Sequence, residues 1–204
     1  MTEPRARLAV FISGGGTGLQ SIIDASERGD LAAEVVWVVS SSKKAYGLER
    51  AKNHGIESFV FRPNKSENLG AAAGVLIGML KERRIDYIAL AGYLKLFPAE
   101  VIRAYPNRIV NIHPGLLPKY GGEGMYGHFV HEAVLAAGEK ESGPTVHIVD
   151  EIYDHGRILE QATVPVVQGD TPESLAARVL KEEHKLYPRV LDNLVKGKYE
   201  LDHA

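Results

Sequence analysis

Five short apolar-rich runs, each followed by a stretch of helix length or by a turn, set the pattern of the first half of this chain. The runs are Leu8–Ile12, Val35–Val39, Glu57–Phe61, Asp86–Ala91 and Arg108–Ile112. Between them lie Leu19–Arg28, stopped by Gly29-Asp30, then Tyr46–His54, capped by Gly55, then Leu69–Arg83 and Pro98–Ala104. Glycine just past a helix end supplies the left-handed residue that closes the last turn. Strands alternating with helices of this length predict a parallel sheet with helices on both faces.

The pattern changes beyond Tyr120. Val130–Ala137 reads as a helix, and Thr145–Val149 and Arg157–Val166 as two strands joined by the acidic loop Asp150–His155. The last element, Pro172 to about Val195, carries Leu175, Val179, Leu186 and Val190 on roughly one face. Pro188 is expected to kink or divide it. The fold class is therefore α/β: a Rossmann-like open sheet, mostly parallel, whose C-terminal strands extend the same sheet. A length of 204 residues fits one such domain.

Composition narrows the chemistry. There is no cysteine, which removes disulfides, thiolate catalysis and Cys-based metal sites. A net charge of −2 offers no electrostatic case for nucleic acid or acidic membranes. The first apolar run ends at Ser13-Gly14-Gly15-Gly16, too soon for a signal peptide, and no run is long enough to cross a bilayer. The expected compartment is cytoplasmic.

The segment Asn111-Ile112-His113-Pro114 closes the fifth run. Side chains two apart on a strand share a face, so Asn111 and His113 point the same way. Pro114, Gly115 and Pro118 then turn the chain into a loop. An amide can donate to a developing oxyanion, and an imidazole can carry protons near neutral pH, which is equipment for acyl transfer. Such a histidine needs a carboxylate partner. The loop Asp150-Glu151-Ile152-Tyr153-Asp154-His155-Gly156 offers three acids, and spacing does not choose among them. Asp154 lies just ahead of the loop's only glycine, where the backbone can bend sharply.

A second motif, Ser13-Gly14-Gly15-Gly16-Thr17-Gly18-Leu19, joins the first strand to the first helix. Glycines there let backbone N–H groups approach an anion at the positive end of a helix. No Gly-Lys-Ser/Thr follows, the dinucleotide pattern fails at Leu19, and Ser40–Lys43 stands where a ribose-binding acid belongs. A phosphate monoester fits better than NAD. Four other histidines read as structural: His128 and His131 as helix-start surface residues, His147 as a core or cross-strand residue, and His184 as helix surface.

These segments, with Gly47-Leu48-Glu49-Arg50-Ala51, Leu90-Ala91-Gly92-Tyr93, Leu117-Pro118-Lys119-Tyr120, Asp154-His155-Gly156 with Gln161, and Glu183-His184 with Tyr187-Pro188, resemble the phosphoribosylglycinamide formyltransferase family. The resemblance spans nearly the whole chain in the family's order. It implies a single formyltransferase domain over 1–204, with a phosphate-binding half to about residue 105 and a folate and catalytic half from about 106. It implies transfer of a formyl group from the co-substrate 10-formyltetrahydrofolate to the amine of glycinamide ribonucleotide, in purine biosynthesis and without a metal. By the same resemblance, Gly16, Thr17 and Gly18 hold the substrate phosphate, and Glu183 contacts the ribose or glycinamide part. Leu94, Lys95, Leu96 and Phe97, with Asp150, Glu151, Ile152, Tyr153 and Asp154, enclose the pterin. Asn111 binds the formyl oxygen, His113 donates a proton, and Asp154 raises the histidine's pKa. Partners are then small molecules, with no nucleic acid or membrane; a homodimer is left open.

The chain departs from that family at Gly18, at Arg157, and in the glycine-rich stretch 121–127, which reads as a lid. No arginine stands near Leu69 to meet a folate tail, and Arg62 and Lys65 are the candidates to replace it. Rival readings are another folate formyltransferase, acting on methionyl-tRNA or a sugar nucleotide, and a formyltetrahydrofolate hydrolase. The length of the chain, whose first strand begins at about Leu8, argues against both, and its charge argues against a tRNA substrate. An NADP-dependent oxidoreductase is disfavoured by the failed glycine pattern, and an inert binding module by the intact Asn111, His113 and Asp154.

Overall fold

The computed structural model describes residues 5–63 and 69–201. The strands are β1 (Ala6–Ile12), β2 (Ala33–Ser40), β3 (Glu57–Val60), β4 (Tyr87–Leu90), β5 (Ile109–His113), β6 (Glu141–Ser142), β7 (Thr145–Ile148), β8 (Ile158–Gln161) and β9 (Val164–Pro165). The helices are α1 (Thr17–Arg28), α2 (Gly47–Asn53), α3 (Leu69–Glu82), α4 (Ala99–Ala104), α5 (His128–Ala136) and α6 (Pro172–Val195).

Seven strands form one open sheet in the order β3-β2-β1-β4-β5-β7-β8. The first five run parallel, and β7 and β8 add antiparallel to β5 and to each other. This is the expected doubly covered α/β sheet. Alternation along β1 shows why both faces are filled. Leu8, Val10 and Ile12 join one core, with α1 and α6, while Ala9 and Phe11 join a second, with Trp37, α3 and α4. A strand buried on both sides has no polar face, which is why it reads as an unbroken apolar run.

The winding reverses beside β1. The chain moves outward through β2 and β3, then returns to place β4 on the other side of β1. Loops leaving the C-terminal ends of β1 and β4 therefore diverge and leave a crevice, where open α/β sheets bind their ligands.

Two expectations of the second half are corrected. Arg157–Val166 is not one strand. The β7–β8 ladder ends at Thr145 opposite Gln161, because Pro144 follows with no N–H to continue it. The Pro144 carbonyl instead accepts the Ala162 N–H at 3.1 Å, and β9 leaves the main sheet to pair with β6. Nor does Pro188 divide the last helix, since α6 runs unbroken from Pro172 to Val195. Burial holds the segment together there: Leu186, Tyr187, Pro188, Val190 and Leu191 are all buried. The fully buried Tyr187 hydroxyl lies 3.0 Å from the carbonyls of both Leu90 and Val110 and shares its one hydrogen between them, fastening α6 to two neighbouring strands. At the start of α6, Thr171 accepts the Ser174 N–H and Ser174 returns the bond, a reciprocal cap.

Candidate active site

A cleft of about 760 Å³ lies at the C-terminal ends of β1, β4 and β5. Its first wall is the Gly-rich turn. Gly16 caps α1 with φ 71°, and a Cβ there would stand 2.6 Å from the Gly47 Cα. Only glycine meets both demands. The Gly47 N–H donates to the Gly14 carbonyl at 3.1 Å, so the start of α2 braces the turn. Thr17 and Gly18 occupy the first turn of α1, and Gly14 through Gly18 line the cleft. First-turn N–H groups have no carbonyl within the helix to pair with, so this wall presents donors and a partial positive charge.

The second wall is a polar cluster on β5, β7 and the loop after β7. Asn111 and His113 share a face of β5, as alternation requires, and both line the cleft. Asp154 reaches them with the left-handed φ of 54°. Gly156, which follows closely, is needed for a different reason than bending: a Cβ there would collide with the Ile148 carbonyl. Asp154 Oδ2 stands 3.3 Å from His113 Nδ1 and accepts the Gly122 N–H at 3.1 Å. Its Oδ1 accepts from Asn111 Nδ2 at 3.4 Å. Among the three acids of the loop, geometry selects Asp154. Asp150 pairs with His155 at 2.6 Å and Glu151 with Arg103 at 2.6 Å, both toward solvent.

Carbonyl contacts assign the protons. His113 Nε2 lies 2.8 Å from the Tyr120 carbonyl, which can only accept, so Nε2 carries a hydrogen and Nδ1 faces the carboxylate. Burial pushes the His113 pKa below its ordinary value; Asp154 and the Tyr120 carbonyl oppose this, and His147 adds to it. Asp154 thus acts in the expected direction, but burial outweighs it. For Asp154, burial pushes the carboxyl up, while the Gly122 N–H and the protonated forms of His147 and His113 together hold it below the usual range.

His147, expected as a core or cross-strand residue, is both. It is 2% exposed and pairs directly opposite Asn111 across the β5–β7 ladder. Its Nδ1 donates to the Ile148 carbonyl at 2.8 Å, leaving Nε2 as an acceptor for Asn111 Nδ2 at 3.1 Å. The histidine therefore sets which way the Asn111 amide points. Its place was readable as cross-strand, but the register that puts it against Asn111 was not. His131 is not the surface residue its sequence position predicts. It is 3% exposed and lines the cleft, because α5 buries Val130, His131 and Val134 together. Its neighbour His128 is exposed and pairs with Glu132 at 2.8 Å.

The other expected residues divide as follows. Leu94, Lys95, Leu96 and Phe97 line the cleft, as do Asp150, Ile152, Tyr153 and Asp154; Glu151 does not. Phe97 is buried edge-on against Phe11, with centroids 5.0 Å apart, while Leu94, Leu96, Ile152 and Tyr153 stay exposed at the rim. Four large apolar side chains open to a cleft offer surface for a flat aromatic ring. Glu183 projects from α6 into the cleft beside Leu180, and burial without a nearby cation pushes its carboxyl up to about 7. Arg62 is exposed past β3 and does not line the cleft; Lys65 lies outside the described residues. Among the described residues, no cluster of His, Asp or Glu is arranged to hold a metal ion, and no helix is long and apolar enough to cross a membrane.

The sequence pattern of the formyl transferase family matches residues 6–191. The chain belongs to that family. It is 49% identical over 194 residues to a chloroplastic phosphoribosylglycinamide formyltransferase of Vigna unguiculata, covering 95% of this chain and 62% of that one. To the phosphoribosylglycinamide formyltransferase of Haemophilus influenzae it is 40% identical, covering 96% of this chain and 90% of the relative. Among solved structures, glycinamide ribonucleotide transformylase 1 of Symbiobacterium toebii superposes with a TM-score of 0.91 at 37% identity, covering 98% of this chain and 92% of that one. The chain thus spans a little under two thirds of the plant relative and most of the bacterial ones.

Proposed function

We propose that this chain transfers a formyl group from 10-formyltetrahydrofolate to the amine of glycinamide ribonucleotide, in the cytoplasm and as a step of purine biosynthesis. The observation that carries the reading is one cleft, in a chain of the formyl transferase family, joining the Gly-rich helix start to the Asn111–His113–Asp154 cluster.

Gly16, Thr17 and Gly18 hold the acceptor's phosphate through backbone N–H groups. Glu183 contacts its ribose or glycinamide portion. Leu94 through Phe97 and the loop 150–154 enclose the pterin ring. The folate supplies an activated formyl group when bound. Asn111, held by His147, turns the hydrogen of its long 3.4 Å bond to Asp154 toward the formyl oxygen as that oxygen gains charge under attack by the amine. The proton that the amine sheds reaches His113 Nδ1 by way of Asp154, and the ring passes a proton on to the departing folate nitrogen. Asp154, 3.3 Å from Nδ1, stabilises the protonated ring. No covalent enzyme intermediate is required, which suits a site without a thiol.

The test is an absorbance assay of folate deformylation with and without glycinamide ribonucleotide. Turnover that requires the ribonucleotide supports the reading; turnover that ignores it means water or another acceptor is used.

A further inference from the structure

His131 is a buried imidazole with no bond. Neither ring nitrogen has a hydrogen-bond partner among the described residues, and Nδ1 is sealed from solvent. A fully buried polar atom without a partner is uncommon in a native structure and calls for a reason. Nε2 is not sealed. The residue is only 3% exposed, yet Nε2 keeps some access to solvent, and His131 lines the cleft. Orphaned buried N–H groups are rarer than orphaned acceptors, so the proton belongs on Nε2. The result is a neutral N–H donor on a residue that lines the cleft.

Its surroundings say what it can recognise. α5 packs on α6, and the wall they form carries His131 beside Glu173, Ala176, Ala177, Leu180 and Glu183. Glu173 and Glu183 make this wall unsuited to an anion, and phosphate has its own donors at the Gly-rich turn. Burial, with the neighbouring His128 and His113, keeps the ring uncharged at neutral pH. An uncharged donor beside carboxyl acceptors suits a hydroxyl or an amide oxygen.

We propose that His131 is a substrate-binding residue, donating its Nε2–H to an uncharged oxygen of the acceptor's ribosyl-glycinamide portion. This rests on the acceptor assigned above. The test is calorimetric binding of glycinamide ribonucleotide and of ribose 5-phosphate to wild type, His131→Phe and His131→Gln. Phe fills the buried site without a donor and weakens ribonucleotide binding roughly 10-fold, the size of one neutral hydrogen bond. Gln retains a donor and restores most of the affinity. The KM for the formyl folate at saturating acceptor stays unchanged. Equal weakening for both ligands assigns the contact to a ribose hydroxyl, and weakening for the ribonucleotide alone assigns it to the amide; either supports the proposal. A His131→Phe protein that binds the ribonucleotide as wild type does overturns it while leaving the function intact. Wild type that binds neither ligand overturns the function and this inference with it. Should the Phe variant not fold, the ¹⁵N resonance of wild-type Nε2 decides: it moves on adding the ribonucleotide, and a stationary resonance refutes the contact.

Discussion

Replacing Glu183 by glutamine removes a carboxyl whose environment opposes its charge. The folded protein holds that proton until pH about 7, against 4.5 in an ordinary setting. Between those values the native state binds more protons than the unfolded chain, so this group makes wild type lose stability as pH rises. The gap, 7 − 4.5, is about 2.5 units, or about 3 kcal/mol at 1.36 kcal/mol per unit. Glu183 is only partly buried, and water reaching the cleft screens the charge, so about 1–2 kcal/mol is the expected size. Glutamine has nearly the same shape and no charge. The two proteins should therefore match in stability below pH 4.5, diverge up to pH 7 and keep a constant gap above it, with the variant more stable. Urea unfolding at pH 4, 6 and 8 measures this. With a slope of about 2 kcal/mol/M, the midpoints should differ by about 0.5–1 M at pH 8. Every other titrating group is common to both proteins and cancels. A midpoint difference that is the same at pH 4 and pH 8 refutes the reasoning.

Other expectations concern the chemistry. His113→Ala and Asp154→Asn should each lower turnover by about 10²–10⁴ while far-UV circular dichroism and the unfolding midpoint show a folded protein. Near-wild-type turnover in either would remove the assigned roles. His147→Phe deprives the Asn111 amide of its acceptor at 3.1 Å. It should lower kcat by about 10-fold or more with little change in either KM, and an unchanged kcat would show that Asn111 orients without it. Gly16→Ala meets both an unfavourable φ and the Gly47 backbone. A loss of about 2 kcal/mol or more in urea unfolding is expected, and a loss below 0.5 would mean the turn relaxes freely.

Much of this was legible in the chain because local chemistry dictated it. The alternation along β5 puts Asn111 and His113 on one face whatever surrounds them. The strand-then-glycine punctuation at Ser13–Gly18 marks a helix start that faces a crevice. What escaped depended on contacts between distant segments. The neighbour of Asn111 was fixed by the β5–β7 register, and nothing near His147 encodes that pairing. The choice of Asp154 over Asp150 and Glu151 rested on a left-handed residue and on the Gly122 N–H, some thirty residues away. The break after Gln161 was set by Pro144, on the partner strand and not on the one that breaks. Pro188 signals a helix end locally, but the burial of its neighbours outweighs that signal.

The Tyr187 hydroxyl has one more consequence. It grips the carbonyls of Leu90 and Val110, the residues immediately before Ala91 and Asn111, from a helix whose preceding turn bears Glu183. Strand β5, which carries Asn111 and His113, and helix α6, which carries Glu183, are thereby gauged from a single atom. Under the proposed function, side chains along α6 can be recut to admit a different amine without shifting the Asn111 amide and the His113 imidazole. The fold separates what is chosen from what is done to it, and keeps the two in register.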